Sequence, residues 1–580
     1  MSKIKFLLHY TSQFRWWYAG GLIFLGLTIW ASVTIPGYIQ KSVDLIAYGR
    51  EASQDQFLSY IIAILLLAVA LIFVRTLSRI LFFIPGRLIE RQLKGEMFTK
   101  LTSFGKDYFD RNTTGSVISR LNNDINGVRM ITGFGLLQTG NIILSLSVTP
   151  YKMWKMSPEL TLYSVIPLII IFVIVRVGMV IMVKNTRNRM AALQSLSGKV
   201  VSFLSGASVI KSYNIYSDAE RRVHKDNVAL FGYTLNIAWI RSFIIPLLAS
   251  IEQILKVVIL FAGGMFVING TFSIGQLTEY IAYAALLAHP VMGLGWVLTV
   301  MQQGFVGVGS LQTIMNRKGA DDGRKSLLYS QKKELFDNGI KINNLSYSYQ
   351  QGELPVISDI SFDIKPGEII GITGPLGSGK TTLINCINGY LRAGKGKVFF
   401  GDVDSDSVRI KDIAASVRTV TQDVFLFSDT IENNIYFGSN DSFDSSKFKN
   451  VLYQSALSHE IEKFPKTEKT MVGEKGIMLS GGQKQRISLA RALYSECDLL
   501  ILDDVFSAVD TDTERFIIEQ LFSTSNVKSM IFVSTRISVL ERTDRIIVLD
   551  NGRKVDEGTH DQLKRRAGFY RDTLNIQEES

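Results

Sequence analysis

The residues best suited to chemistry in this chain lie where an apolar run gives way to a glycine-rich one. Ile369-Ile370-Gly371-Ile372-Thr373 reads as a buried strand, and Gly374-Pro375-Leu376-Gly377-Ser378-Gly379-Lys380-Thr381 follows it. The helical stretch Thr382-Leu383-Ile384-Asn385 comes next. Strand, glycine-rich loop and helix in that order form the phosphate-binding loop pattern. The glycines let successive amides turn toward an anion where side chains would intrude. Lys380 can reach the outer phosphates of a nucleotide, Thr381 can ligate Mg²⁺, and the helix N-terminus adds positive potential. A second strand, Leu499-Leu500-Ile501-Leu502, ends in Asp503-Asp504. A carboxylate at the C-terminal end of a strand in an open α/β sheet is placed to order such an ion; a buried aspartate with a structural partner gives the same pattern.

The elements that must position these groups occupy only the second half of the chain. Ile340 to Tyr349 and Ile360 to Ile364 alternate like strands, and Gly367-Glu368 marks a turn. The whole chain has 580 residues, 63 Lys+Arg against 52 Asp+Glu, and a net charge of +11. Hydrophobic residues make up 47% and charged residues 20%, which excludes a disordered chain and points to membrane spans. Two cysteines, Cys386 and Cys497, form no disulfide framework and suit a reducing compartment. Residues 1–315 carry 28 basic and 14 acidic side chains, net +14, and residues 316–580 carry 35 and 38, net −3. The basic excess therefore travels with the longest apolar runs.

Those runs predict six helical spans, near 16–46, 57–84, 131–152, 160–183, 242–268 and 276–305. The first is too long for the apolar core of a cleaved signal peptide and no small-residue cleavage site follows it. The connections 85–130 and 184–241 hold eight and nine Lys/Arg, whereas 47–56, 152–159 and 269–275 together hold only Arg50, Lys152 and Lys155. By the positive-inside rule both termini and the long connections are cytoplasmic; the expected location is a bacterial inner (plasma) membrane, crossed several times. A basic surface against anionic lipid headgroups accounts for the charge better than a nucleic-acid surface, so no nucleic-acid partner is expected. The long connections read as helical stalks that turn near Asp110–Gly115 and Ser205–Ala207. The expected organisation is a transmembrane domain at 1–315, a hydrophilic linker at 316–338 and a nucleotide-binding domain at 339–580.

Leu479-Ser480-Gly481-Gly482-Gln483 stands ahead of a helical stretch, Lys484 to Tyr494, and shortly before Asp503. With this run the sequence resembles the ATP-binding cassette (ABC) superfamily, over nearly the whole chain. Six spans before one cassette resemble a half-size ABC exporter of the multidrug and lipid-export type. The resemblance implies a membrane all-α six-helix transmembrane domain plus an α/β P-loop nucleotide-binding domain, with ATP and Mg²⁺ bound. It implies that Tyr349 stacks on adenine beside Gly374–Thr382, and that Gln422 is the glutamine that senses Mg²⁺, with Thr381 and Asp503, and meets the membrane domain. Thr470-Met471-Val472-Gly473-Glu474-Lys475-Gly476 resembles the stretch before the signature in exporters, and Ser507-Ala508-Val509-Asp510 the D-loop. Two cassettes would sandwich two ATP molecules, with Ser480 and Gly482 donating to the γ-phosphate on the partner. Dimerisation is therefore required. Taken singly, Tyr349 and Gln422 read equally as strand-face packing and surface polarity.

Two positions depart from the family pattern. Asp504 stands where the family has a glutamate that polarises the attacking water, and Thr535, after Met530-Ile531-Phe532-Val533-Ser534, stands where it has a histidine. General-base assistance is worth about 10²- to 10⁴-fold and depends on reach. With an intact signature, the pattern resembles the degenerate-site subunit of a heterodimeric exporter; a homodimer with two slow sites is the alternative. In the fifth span Glu252 and Lys256 lie four residues apart and can pair, either touching a substrate or fixing helix packing. His289-Pro290 reads as a kink. The expected activity is ATP-driven export of hydrophobic or amphipathic, drug-like or lipid-like compounds. A lipid flippase and an ATP-gated channel or sensor are its rivals. Six spans exclude the soluble cassette proteins of DNA repair and translation, and no N-terminal protease domain of the leader-processing peptide exporters is seen.

Overall fold

The computed structural model describes residues 2–48, 54–328, 331–332, 334–349, 354–439, 442–473, 479–524 and 527–579, without the side chains of 48, 289, 292 and 524. The stretch Glu474-Lys475-Gly476 singled out above thus lies outside the described residues, as do Arg50 and the side chain of His289. The chain divides into two compact units, 1–100 with 114–317, and 101–113 with 318–580.

The first unit is all helix. Among the described residues six segments are long and apolar enough to cross a membrane: Arg15–Ala47, Gln54–Thr102, Thr114–Met156, Pro158–Ser205, Tyr216–Ile268 and Ile274–Met315. The helix Gln54–Thr102 runs 49 residues and Pro158–Ser205 runs 48. Each is about 70 Å at 1.5 Å per residue, more than twice a hydrocarbon core of about 30 Å, so both continue beyond it. Sequence chemistry sets their starts. The Ser157 hydroxyl accepts from the Leu160 N–H ahead of Pro158, and Ser273 closes a capping box with Gln276. Apolar side chains such as Leu65, Leu66 and Phe73 point outward. Small residues draw helices together: a Cβ on Gly127 would lie 3.3 Å from Gly304 Cα. The third span is not uniform, since π-helical turns at Arg120–Asp124 and Ile131–Gly135 widen it. The expected stalk turns become a short helix, Lys106–Arg111, with a break at Asn112, and a kink at Gly206.

The second unit is α/β. Strands β1 (Ile340–Tyr347), β2 (Ile357–Ile364), β4 (Val398–Phe400) and β5 (Val403–Asp404) form an antiparallel sheet in the order β2-β1-β4-β5. Strands β3 (Ile369–Thr373), β6 (Val417–Val420), β7 (Leu499–Asp503), β8 (Ser529–Val533), β9 (Arg545–Asp550) and β10 (Arg553–Gly558) form the second, in the order β10-β9-β3-β8-β7-β6. Strand β3 pairs in parallel with β8 and β9, and β7 with β6 and β8. Central strands β7 and β8 are buried along their whole length, which is why they read as unbroken apolar runs. The stretch before β1 is no bare tether. Leu335 and Phe336 are buried with β1 and β2 in one core, and Arg324 pairs with Asp406 at 3.0 Å. A separate helical core holds Leu426, Ile431, Leu452, Leu479 and Ile487.

Candidate nucleotide site

Parallel pairing places the C-terminal ends of β3, β8 and β7 side by side, with Asp503 opposite Val533. The loops that leave those ends carry Gly374–Gly379, Ser534-Thr535 and Asp504, so one sheet edge collects the candidate groups. Gly379 has φ +92, and a Cβ there would sit 2.6 Å from Ile357 Cγ2, so the turn into the helix Lys380–Ile387 admits only glycine. Lys380 Nζ donates to the Gly374 and Pro375 carbonyls, both at 2.8 Å, and is folded back over the loop. Leu376 at the loop tip is fully exposed.

The Thr381 hydroxyl donates to Asp503 Oδ2 at 3.0 Å, and Gln422 Nε2, beyond β6, donates to Asp504 Oδ2 at 3.3 Å. Burial pushes Asp503 up from the usual carboxylate range, opposed by the Thr381 hydrogen bond and reinforced by Asp504. Burial likewise lowers Lys380, while Asp503 and Asp504 pull it back. Both charged forms are under-compensated, and a polyphosphate beside Lys380 with a divalent cation beside Asp503 meets the two needs together. Hydroxyl, carboxylate and amide oxygens are the hard donors Mg²⁺ prefers, and one carboxylate is enough when phosphates supply the rest. The residues present fit both groups.

Asp504 adopts φ +49, in the left-handed region an aspartate tolerates better than most residues. Its N–H donates to the Val533 carbonyl at 2.9 Å, and its carbonyl accepts from Ser507 Oγ at 3.0 Å. Thr535 is exposed, and its carbonyl accepts from Gln577 Nε2 at 2.8 Å. The same Gln577 accepts from the Ile537 N–H at 2.9 Å, so the C-terminal helix Phe569–Glu578 pins this loop on both sides of Arg536.

The signature run lies apart from the phosphate loop, with no recorded hydrogen bond to it among the described residues. Ser480 Oγ accepts from the Gln483 N–H at 3.2 Å and Gln483 Oε1 accepts from the Ser480 N–H at 3.0 Å, a capping box on the helix Gly481–Tyr494. A Cβ on Gly482 would lie 2.7 Å from the Ala508 carbonyl oxygen, so Gly482 lets Ser507-Ala508-Val509-Asp510 pack onto the signature. Gln485 fixes that contact, donating to Ser507 Oγ at 2.9 Å and accepting from the Ala508 N–H at 3.2 Å. Asp510 caps the next helix by accepting from the Thr513 N–H at 3.0 Å.

Tyr349 stands just beyond β1, half-exposed, with its hydroxyl 3.1 Å from Thr382 Oγ1. Lys106 Nζ, on the short helix, lies 5.7 Å from the Tyr349 ring centre and 5.8 Å from that of Tyr390. Sequence reasoning missed Lys106, Gln485 and Gln577. Glu252 and Lys256 do pair, at 2.6 Å, but both stay part-exposed and neither lines the large cavity of the first unit.

Comparison with known proteins follows the same division. Residues 357–507 match the ABC transporter family and residues 18–291 the ABC transporter transmembrane region. The chain is 30% identical over 534 residues to the multidrug resistance-like ATP-binding protein MdlA of Buchnera aphidicola subsp. Baizongia pistaciae, covering 91% of this chain and 90% of that one. It is 26% identical to MdlA of Escherichia coli K12, over 97% and 94% of the two chains. It is 30% identical to an ATP-dependent lipid A-core flippase of Pseudomonas putida, over 82% and 78%. A bacterial Atm1-family ABC exporter with ATP bound has the same fold, with TM-score 0.82 at 22% identity over 97% of this chain and 99% of that one.

Proposed function

The chain belongs to the ABC transporters, as a half-size exporter, and from that membership we propose that it is the degenerate-site half of a heterodimer. It is a multi-pass membrane ATPase of the translocase type. ATP binds along Gly374–Thr382 with Lys380 on the outer phosphates, and Tyr349 carries the adenine. Mg²⁺, when bound by Thr381, Asp503 and Gln422, neutralises phosphate charge. The basic connections and the cassette face the cytoplasm.

The observation that carries this reading is the contrast between two half-sites on one chain. The signature is intact: Ser480 and Gln483 are locked in their capping box and Gly482 is packed on Ala508. The residues beside the chain's own phosphate loop lack a long general base, since Asp504 is held on a pinned backbone and Thr535 offers only a short hydroxyl. Such a chain completes a competent site on a different partner while holding ATP longer on its own. The slow site biases the cassettes toward partial closure, and turnover at the other reopens them.

Co-purification tests the proposal. A tagged chain expressed in its host brings down a second half-transporter with glutamate at the position matching Asp504, and the complex hydrolyses one ATP fast for one retained. Rapid hydrolysis at both sites of a complex made of this chain alone refutes it.

A further inference from the structure

The first unit holds a half-open cavity of about 660 Å³ whose lining is unusual for a membrane-spanning bundle. Arg75 and Arg79, one turn apart on the helix Gln54–Thr102, both line it, and no Asp or Glu does. Neither arginine has an acidic partner recorded among the described residues. Gln138, Asn141, Ser145 and Thr149 also line it, at spacings of three and four, so one face of the helix Leu136–Met156 is a polar stripe. Thr149 is fully buried, and its hydroxyl has no hydrogen-bond partner in the described structure. Leu25, Ile29 and Phe83 complete an apolar part of the wall.

Each feature asks for something. Unpaired guanidinium groups at membrane depth are costly unless an anion or water meets them, and a buried hydroxyl without a partner is a vacancy for an acceptor. The depth is informative too. Arg75 and Arg79 fall in the cytoplasmic half of the second span, 57–84, so with the orientation proposed above the two cations stand in the inner-leaflet half of the bilayer.

We propose that this cavity is the substrate site and that it takes an anionic amphiphile. A phosphate or carboxylate head would lie between Arg75 and Arg79, accept from the polar stripe, and leave its tail against Leu25, Ile29 and Val33. The guanidinium fork suits an oxyanion bidentately. This inference rests on the export reading and names its cargo by charge; it leaves the Glu252–Lys256 pair outside the path.

The test measures binding to the full-length protein in phosphatidylcholine nanodiscs, with empty discs subtracted. Dodecyl phosphate is expected to bind saturably, and n-dodecanol and dodecyltrimethylammonium at least about tenfold more weakly. Arg75→Gln with Arg79→Gln is expected to weaken dodecyl phosphate about tenfold or more, and Arg75→Lys with Arg79→Lys to restore most of it. Inorganic phosphate is expected not to displace the probe. Equal binding of all three amphiphiles overturns the proposal, as does an unaltered glutamine variant. Displacement by inorganic phosphate as effective as by dodecyl phosphate also overturns it, because the site then takes the free anion. ATP-dependent uptake into inside-out vesicles is read separately. No uptake despite charge-selective binding refutes export and leaves the site standing.

Discussion

Replacing Asp504 by glutamate together with Thr535 by histidine supplies the two groups of the family pattern that this chain's own site lacks. The added methylene advances the carboxylate by about 1.5 Å. That advance is not absorbed by the backbone, because the Asp504 N–H is bonded to Val533 O at 2.9 Å and its carbonyl to Ser507 Oγ at 3.0 Å. Hydrogen-bond reach to a reacting proton spans about 2.6–3.2 Å, so a shortfall of 1.5 Å removes the base from play. Regaining it is worth about 10²- to 10⁴-fold, or about 2.7–5.4 kcal/mol at 1.36 kcal/mol per decade. Position 535 sits on a loop held at both ends by Gln577, so an imidazole there is presented from a fixed backbone. The assay is steady-state ATP hydrolysis by the assembled transporter whose partner has its own catalytic glutamate replaced by glutamine, leaving this site to report. Turnover is expected to rise at least about a hundredfold, with nucleotide binding unchanged. If ATP binds normally and turnover stays within about threefold of the parent, reach is not what limits this site and the reasoning fails.

Three further outcomes follow from single contacts. Gly482→Ala places a methyl against the Ala508 carbonyl, an overpacking cost of about 1–3 kcal/mol; hydrolysis at the partner's site should fall about tenfold while ATP affinity at this chain's own phosphate loop, read by fluorescent nucleotide titration, stays unchanged. Lys106→Met removes the cation from the Tyr349 and Tyr390 rings, a loss of about 0.5–2 kcal/mol; amide exchange across 101–113 should speed accordingly, and an unchanged rate would discount the contact. Burial pushes the thiols of Cys386 and Cys497 up to about 12, so native protein at pH 8 should resist iodoacetamide while denatured protein is alkylated at both, as intact-mass spectrometry would show.

Much of this protein is legible in one dimension because its signals are local. Six apolar runs, the strand–glycine loop–helix at Ile369–Asn385 and the aspartate pair after Leu499–Leu502 each depend on residues close in sequence, where period and backbone sterics act. The same holds for the Glu252–Lys256 pair, set by one helical turn. The helical stalks and their turns were likewise visible, although the segment at Asp110 proved to be the end of a short helix.

The remainder needed the tertiary structure. Lys106 meets Tyr349 and Tyr390 across more than 240 residues of chain, and Gln577 grips the loop of Thr535 from the last helix. The motif shows that glycine stands at 482; only the approach of Ala508 shows why a methyl is excluded. Arg75 and Arg79 were in the sequence as two charges ending an apolar run, with nothing to say which way they faced. Their meaning came from a polar stripe on another helix and from the lack of a carboxylate among the described residues that line the cavity they share. Periodicity and propensity are properties of neighbours along the chain, whereas a site is a set of distances between strangers, and those distances exist only once the core has packed.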